Sequence, residues 1–256
     1  MVAEEVAEPG TIVLVDQDFS RLEEALEKEL WEVDGDDLSL YTCSDEKDGP
    51  PGAVLVTEGG GDSQAELVHR LRGGDGAQVT RLVARLILEA LDAESTSIFT
   101  IGLAFDDDFE ETALLAVTLR WPRENPGDLE PGVQPPPRLI QLVLNGDVAV
   151  DDVGELPAQV DIDVRLFWDE ATRRATLRHR IVPVDQEPCP NAAGSAPWKE
   201  TSSGFYTTNV KFDKAQVLFL RGTGASKIRL LSTSAWCAVG SDDGVAALAR
   251  EGEGPA

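Results

Sequence analysis

VTRLVARLILEAL, residues 79–91, is the stretch on which the reading of the fold turns. Val79, Leu82, Val83, Leu86, Ile87, Ala90 and Leu91 recur at i, i+3, i+4 and i+7, the spacing that lines one face of an α-helix. The pattern predicts an amphipathic helix over 78–93, with Arg85 and Glu89 one turn apart on its wet face. Arg81 and Arg85 interrupt the apolar run, which falls well short of the ~20 residues a bilayer span needs.

Working back toward the N-terminus, Ser63 and Glu66 have the spacing of a capping box, in which each side chain accepts from a free backbone N–H of the other residue. They predict a short helix that ends near Gly73. AVLVT (53–57) and Leu38–Cys43 read as strands, separated by the turn-forming SDEKDGPPG. TIVLV (11–15) is a buried strand. Ser20 with Glu23 repeats the capping box, and Leu22, Leu26, Leu30 and Val33 extend it into a helix over 20–32.

Toward the C-terminus, SIFTIGLAF and TALLAVTLRW flank the acidic DDDFEE and form a hairpin. Residues 122–137 hold six prolines and no apolar period, which marks a linker. Beyond it, Val160, Ile162, Val164, Leu166 and Trp168 alternate with polar residues, so one strand face is buried. DEATR turns the chain and ATLRHRIV returns. FYTTNVKF, AQVLFL and KIRLLSTSAWCAV supply three more strands. The sequence thus predicts an α+β fold, mainly antiparallel, with helices concentrated in the N-terminal half and a β-rich C-terminal half. Its parts are an acidic subdomain (1–121), the linker (122–137) and a β-rich subdomain (138–256), the two packing as one domain or standing as two.

The chain carries 47 acidic and 22 basic residues, a formal net charge of −25. Contact with nucleic-acid phosphates needs clustered Lys and Arg, so direct binding to a nucleic-acid backbone is disfavoured, and so is adhesion to anionic lipid. Residues 1–137 hold 31 of the acids and 9 of the bases, so the acidity belongs to the first half. Cys43, Cys189 and Cys237 are odd in number and far apart. They form neither a disulfide framework nor a zinc site. With no basic-apolar leader at the start, a cytoplasmic setting is expected.

Two strand–loop–helix units, TIVLVDQDFSRLEEAL and AVLVTEGGGDSQAELVHRL, would bring Asp16, Asp18 and Glu58 to the carboxyl ends of strands, where they could hold a divalent cation. The first unit resembles the start of a response-regulator receiver domain. Thr57 and Glu58, however, stand where that family needs its phospho-accepting aspartate, and the likeness covers at most the first 75 residues. His69 and His179 are the two histidines, and no GxSxG, HExxH or HxH accompanies them. TRRATLRHR (172–180) is the one cationic cluster.

The function expected from these features is that of a non-catalytic protein-binding protein, an adaptor, inhibitor or assembly subunit. Its acidic N-terminal surface would engage a basic partner. The expected contacts are the hairpin tip, Asp106, Asp107, Asp108, Glu110 and Glu111, together with Arg173, Arg174 and Arg178. No cofactor is expected beyond the possible divalent cation. The alternative is a metal-dependent or small-ligand enzyme built on Asp16, Asp18 and Glu58.

Overall fold

The computed structural model describes residues 10–34, 38–43, 50–57, 64–71, 77–91, 98–106, 112–120, 139–145, 147–152, 157–168, 173–183, 197–204, 214–223 and 226–238. The segment 79–91 is a strand, not a helix. It is β6 (Val79–Leu91), and it pairs antiparallel on both sides, with β11 (Ala158–Phe167) and β15 (Ser226–Ala238). The helical spacing arose because buried apolar residues of this central strand fall on both faces, a full row inward and Val83 and Ile87 between the charged residues of the outer row. Leu82, Ala84, Leu86 and Leu88 point into the core, while Val83 and Ile87 are buried on the opposite face. Superposing two period-2 rows of that composition reproduces i, i+3, i+4 matches. A spacing of four, as between Arg81, Arg85 and Glu89, keeps residues on one face in either structure.

The expected α+β class is corrected in the same way elsewhere. The described residues form two antiparallel sheets and one α-helix, α1 (Leu22–Glu27), entered through a 3₁₀ turn at Phe19–Arg21. That helix is much shorter than the 20–32 expected. The Ser63/Glu66 capping box opens no helix, because residues 64–70 are strand β5 (Gln64–Arg70), in which Glu66 forms an ion pair with Arg221 across the sheet. A capping box needs a chain free to turn. Here Ala65, Leu67 and His69 alternate inward instead and commit the segment to a sheet.

The remaining strands are β1 (Thr11–Asp18), β2 (Glu32–Asp34), β3 (Leu38–Cys43), β4 (Gly52–Thr57), β7 (Ile98–Ala104), β8 (Ala113–Arg120), β9 (Leu139–Leu144), β10 (Asp147–Asp152), β12 (Arg174–Pro183), β13 (Lys199–Gly204) and β14 (Val217–Thr223). The eight-stranded sheet runs β13-β12-β11-β6-β15-β4-β3, with β1 also on β15. The seven-stranded sheet runs β10-β9-β8-β7-β14-β5-β2. Strands from both sides of residues 122–137 enter both sheets, and 122–137 itself lies outside the described residues, as does FYTTNVKF. β1 and β4 lie end to end along one side of the long β15, meeting where β15 bulges at Leu231.

One core cluster draws side chains from both sheets, so they pack face to face as a sandwich. Val160, Ile162, Val164 and Leu166 come to it from β11 in one sheet, and Phe99, Ile101 and Leu103 from β7 in the other. Leu86, 1% exposed at the centre, gives the scale: truncating such a leucine to alanine costs about 2–5 kcal/mol. His179 lies on the inward row of β12 with Ala175 and Leu177, and His69 on that of β5. Both histidines are core residues. At one end Phe19, Trp31 and His69 stack edge to face, with centroids 5.6 and 5.0 Å apart, and Trp31 Nε1 donates to Gln17 Oε1 at 3.1 Å. Gly102 is fixed by close approach, since a Cβ there would meet the Phe219 ring and the Leu115 carbonyl.

Candidate functional site

Because alternate residues of a strand face opposite ways, the inward rows of the eight-stranded sheet define its outer face. That face carries Asp161, Asp163, Arg165 and Phe167 from β11, and Arg81, Arg85 and Glu89 from β6. From β12 it carries Arg174, Thr176, Arg178 and Arg180, from β15 Arg229, Ser234 and Trp236. It is a charged and aromatic surface, where the inner face is apolar.

Its centre is an ordered network of ion pairs. Arg81 donates from Nε and Nη2 to the two oxygens of Asp163, at 2.9 and 3.1 Å, a forked pairing that fixes both groups. Asp161 accepts from Arg85 Nε at 3.0 Å on one oxygen and from Arg180 Nε at 2.6 Å on the other, and Gln159 Nε2 adds a third donor at 2.8 Å. Both aspartates are buried, at 3% and 4% exposure, which charged groups tolerate only when paired in this way. Glu89 joins Arg229 and, at 2.7 Å, Lys227. The Arg81 guanidinium lies 5.2 Å from the Trp236 ring centre. Ser234 Oγ donates to Asp16 Oδ1 at 2.9 Å.

The rim near β13 is different in kind. Phe167 stands directly opposite Arg174 in the β11–β12 register, and the Arg174 guanidinium sits 4.7 Å from its ring centre. Trp198, just before β13, takes the guanidinia of Arg178 at 5.2 Å and Arg180 at 4.8 Å. Between the two stacks, Thr176 Oγ1 and Ser202 Oγ are 3.2 Å apart. Phe167 and Trp198 are 40% and 38% exposed, and they are the two aromatic side chains among the exposed large apolar ones of the described residues.

Of the residues singled out from the sequence, Arg174 and Arg178 share this rim. Arg173 precedes β12 and belongs to the other row by alternation. Asp106 is exposed at the end of β7, its carboxylate accepting from Thr112 Oγ1 at 2.8 Å. Asp107, Asp108, Glu110 and Glu111 lie outside the described residues. Asp16 is on the outer face of β1, and Asp18 Oδ1 accepts from the Ser20 backbone N–H at 2.9 Å, capping the 3₁₀ turn. Glu58 lies outside the described residues. Its neighbour Thr57 pairs with Ser226, while Asp18 pairs with Ser232, six residues or roughly 20 Å further along β15. Among the described residues no three His, Cys, Asp or Glu side chains gather as metal ligands would.

The sequence reading missed Phe167 and Trp198. Strict alternation through VDIDVRLFW, with the turn at DEATR, already places Phe167 opposite Arg174. Nothing comparable pointed to Trp198, because its strand, KETSSG, is a polar edge strand without an apolar row.

No helix among the described residues is long and apolar enough to cross a membrane. No protein-family profile matches the chain, and no curated protein does. Solved structures resemble it in fold. A conserved carbohydrate esterase from the Shiga toxin-encoding bacteriophage phi24B superposes with a TM-score of 0.52 at 13% identity, over 90% of this chain and 100% of that one. The exoplasmic/lumenal domain of VIP36, in its Ca²⁺/Man2-bound form, gives 0.50 at 12% identity, over 91% and 90%. At such identities the likeness is one of architecture, that of an antiparallel β-sandwich.

Proposed function

We propose that this protein is a non-catalytic binding module whose ligand is a glycan, held on the outer face of the eight-stranded sheet at the β11–β12–β13 rim. The observation that carries the proposal is the pair of exposed aromatic rings, Phe167 and Trp198, on one face with a hydroxyl pair between them. A sugar ring has an apolar C–H face and a polar edge. Exposed aromatic rings receive the first, while hydroxyls and guanidinium N–H groups bond to the second. Phe167 is level with Arg174 and Trp198 with Arg180, six residues further along the strand, so the two rings are separated by roughly 20 Å along it. That span suits an oligosaccharide better than a single sugar. The carbohydrate-bound state of the VIP36 domain and the carbohydrate substrate class of the phage esterase agree in kind with the reading. A glycan ligand would put the protein where glycans are exposed, not in the cytoplasmic setting expected from the sequence.

The test is retardation of the protein in gels cast with plant, bacterial and fungal polysaccharides, with the Trp198→Ala variant run alongside. The expected result is retardation by at least one polysaccharide, lost in the variant while its melting temperature stays within a few degrees of the parent. Retardation unaffected by Trp198→Ala and by Phe167→Ala would refute the placement. A basic protein partner is the second reading, favoured by the net charge of −25 and the exposed Asp106. Salt-sensitive binding to a basic protein, with no polysaccharide retained, would select it.

A further inference from the structure

We infer that the ligand of this rim is an anionic glycan, one bearing carboxylate or sulfate groups, and that Arg174 and Arg178 read its charge. The inference rests on the glycan reading and deepens it.

Acids outnumber bases by 47 to 22, so carboxylate partners are plentiful for any exposed cation. On this face Arg81, Arg85, Arg180 and Arg229 each have one, on Asp163, Asp161, Asp161 and Glu89. Arg174 and Arg178 have no ion pair and no hydrogen bond among the described residues. Each instead rests on an exposed ring, Phe167 or Trp198. Asp163 and Glu200 are the direct cross-strand neighbours of Arg178, yet neither is ion-paired with it. Two guanidinium groups on one strand face, next to the proposed sugar platforms, are therefore without an ion pair among the described residues.

A guanidinium resting on a ring is positioned without spending its N–H donors, which remain at its edge in the fork geometry that matches a carboxylate or sulfate. A neutral sugar needs donors and acceptors together. The rim's polar groups include two forks, a hydroxyl pair and one carboxylate, Glu200, and the two forks weight it toward donors, which suits a ligand rich in acceptors and negative charge. Repulsion from the acid excess does not defeat this at physiological ionic strength. The screening length there is about 8 Å, so distant carboxylates count little against groups in contact.

The test uses the full chain and matched polysaccharides that differ only in charge: polygalacturonate against its methyl-esterified form, and dextran sulfate against dextran. Polyglutamate serves as a polyanion without sugar. The expected result is that polygalacturonate or dextran sulfate binds at least about tenfold more tightly than its neutral counterpart. Arg174→Gln and Arg178→Gln should each weaken that binding about tenfold without moving the melting temperature, with Arg178→Lys intermediate because it keeps the charge and loses the fork. Equal binding of charged and neutral forms, unchanged in both variants, overturns the inference and leaves the glycan reading standing. Polyglutamate bound as tightly as polygalacturonate also overturns it, since the rim would then read charge alone. Retention of no polysaccharide, charged or neutral, overturns both.

Discussion

If β6 is a central strand in the observed register, Arg81 and Asp163 must be energetically coupled, and a double-mutant cycle measures that coupling. The two side chains are 15% and 6% exposed and joined by two charged hydrogen bonds at 2.9 and 3.1 Å. Replacing Asp163 with Leu leaves the Arg81 guanidinium largely buried without its counter-ion. Replacing Arg81 with Met strands the Asp163 carboxylate in the same way. Breaking one side of a buried pair costs about 3–5 kcal/mol, and Arg81 keeps some access to water, so the lower end applies. The double variant Arg81→Met/Asp163→Leu removes both charges together. Its methionine can rest against Trp236, a favourable sulfur–aromatic contact, so it should lie within about 1 kcal/mol of the parent. The coupling is then about 5–7 kcal/mol. It would be read from urea unfolding at neutral pH, with the slopes compared to confirm that all four proteins unfold in the same way. Single substitutions that add to within about 0.5 kcal/mol would mean the residues do not touch. In that event the register of β6 against β11, and with it the whole outer face, would be wrong.

Two further outcomes follow from the same coordinates. Gly102→Val should destabilise the sandwich by about 2–3 kcal/mol, because the new side chain meets the Phe219 ring and the Leu115 carbonyl, and Phe219→Leu should recover part of that loss in thermal melts. An unaltered melting temperature for Gly102→Val would show that β7 and β14 are not in that register. Glu200→Gln should tighten polygalacturonate binding several-fold by removing the carboxylate beside Arg178, measured by titration calorimetry, and weaker binding would show that Glu200 orients the arginine.

Much of the β structure was legible in the sequence because its strands are half-buried and alternate visibly. VDIDVRLFW and the 98–120 hairpin are of this kind, and both appear as read. The helices were misread for two separate physical reasons. In β6 Val83 and Ile87 are buried on the face opposite the inward row, so the period-2 signal is partly filled in, and a 13-residue segment of that composition is ambiguous between helix and strand. The β-branched Val79, Thr80, Val83 and Ile87 were the local hint toward strand. In 64–70 a capping-box spacing outweighed the alternation of Ala65, Leu67 and His69, although one spacing of four residues is a weaker signal than a row of three. The rim was half visible. TRRATLRHR showed the arginines, but what distinguishes Arg174 and Arg178 from Arg180 is that no carboxylate among the described residues pairs with them. That depends on pairings between residues 76–140 positions apart, such as Arg85 with Asp161 and Arg229 with Glu89, and no local pattern encodes them.

The outer face divides its arginines by environment, and the division bears on what the acidity is for. At the centre, burial makes an unpaired charge expensive, so Arg81, Arg85, Arg180 and Arg229 must have carboxylates, and those ion pairs hold the strands in one register. At the rim, burial no longer forces the choice. An exposed ion pair contributes about 0–1 kcal/mol and an exposed cation–π contact about 0.5–1, so for Arg178 the Trp198 ring competes on equal terms with Glu200. The ring leaves the guanidinium positive and its donors available, which the carboxylate would not. An acid excess that served only to keep the chain dispersed would have no reason to spare adjacent cations on one face. An excess that repels polyanions everywhere except at a rim of arginines without an ion pair among the described residues would confine anionic ligands to that rim, and the low charge contrast of the central network would leave it as scaffold.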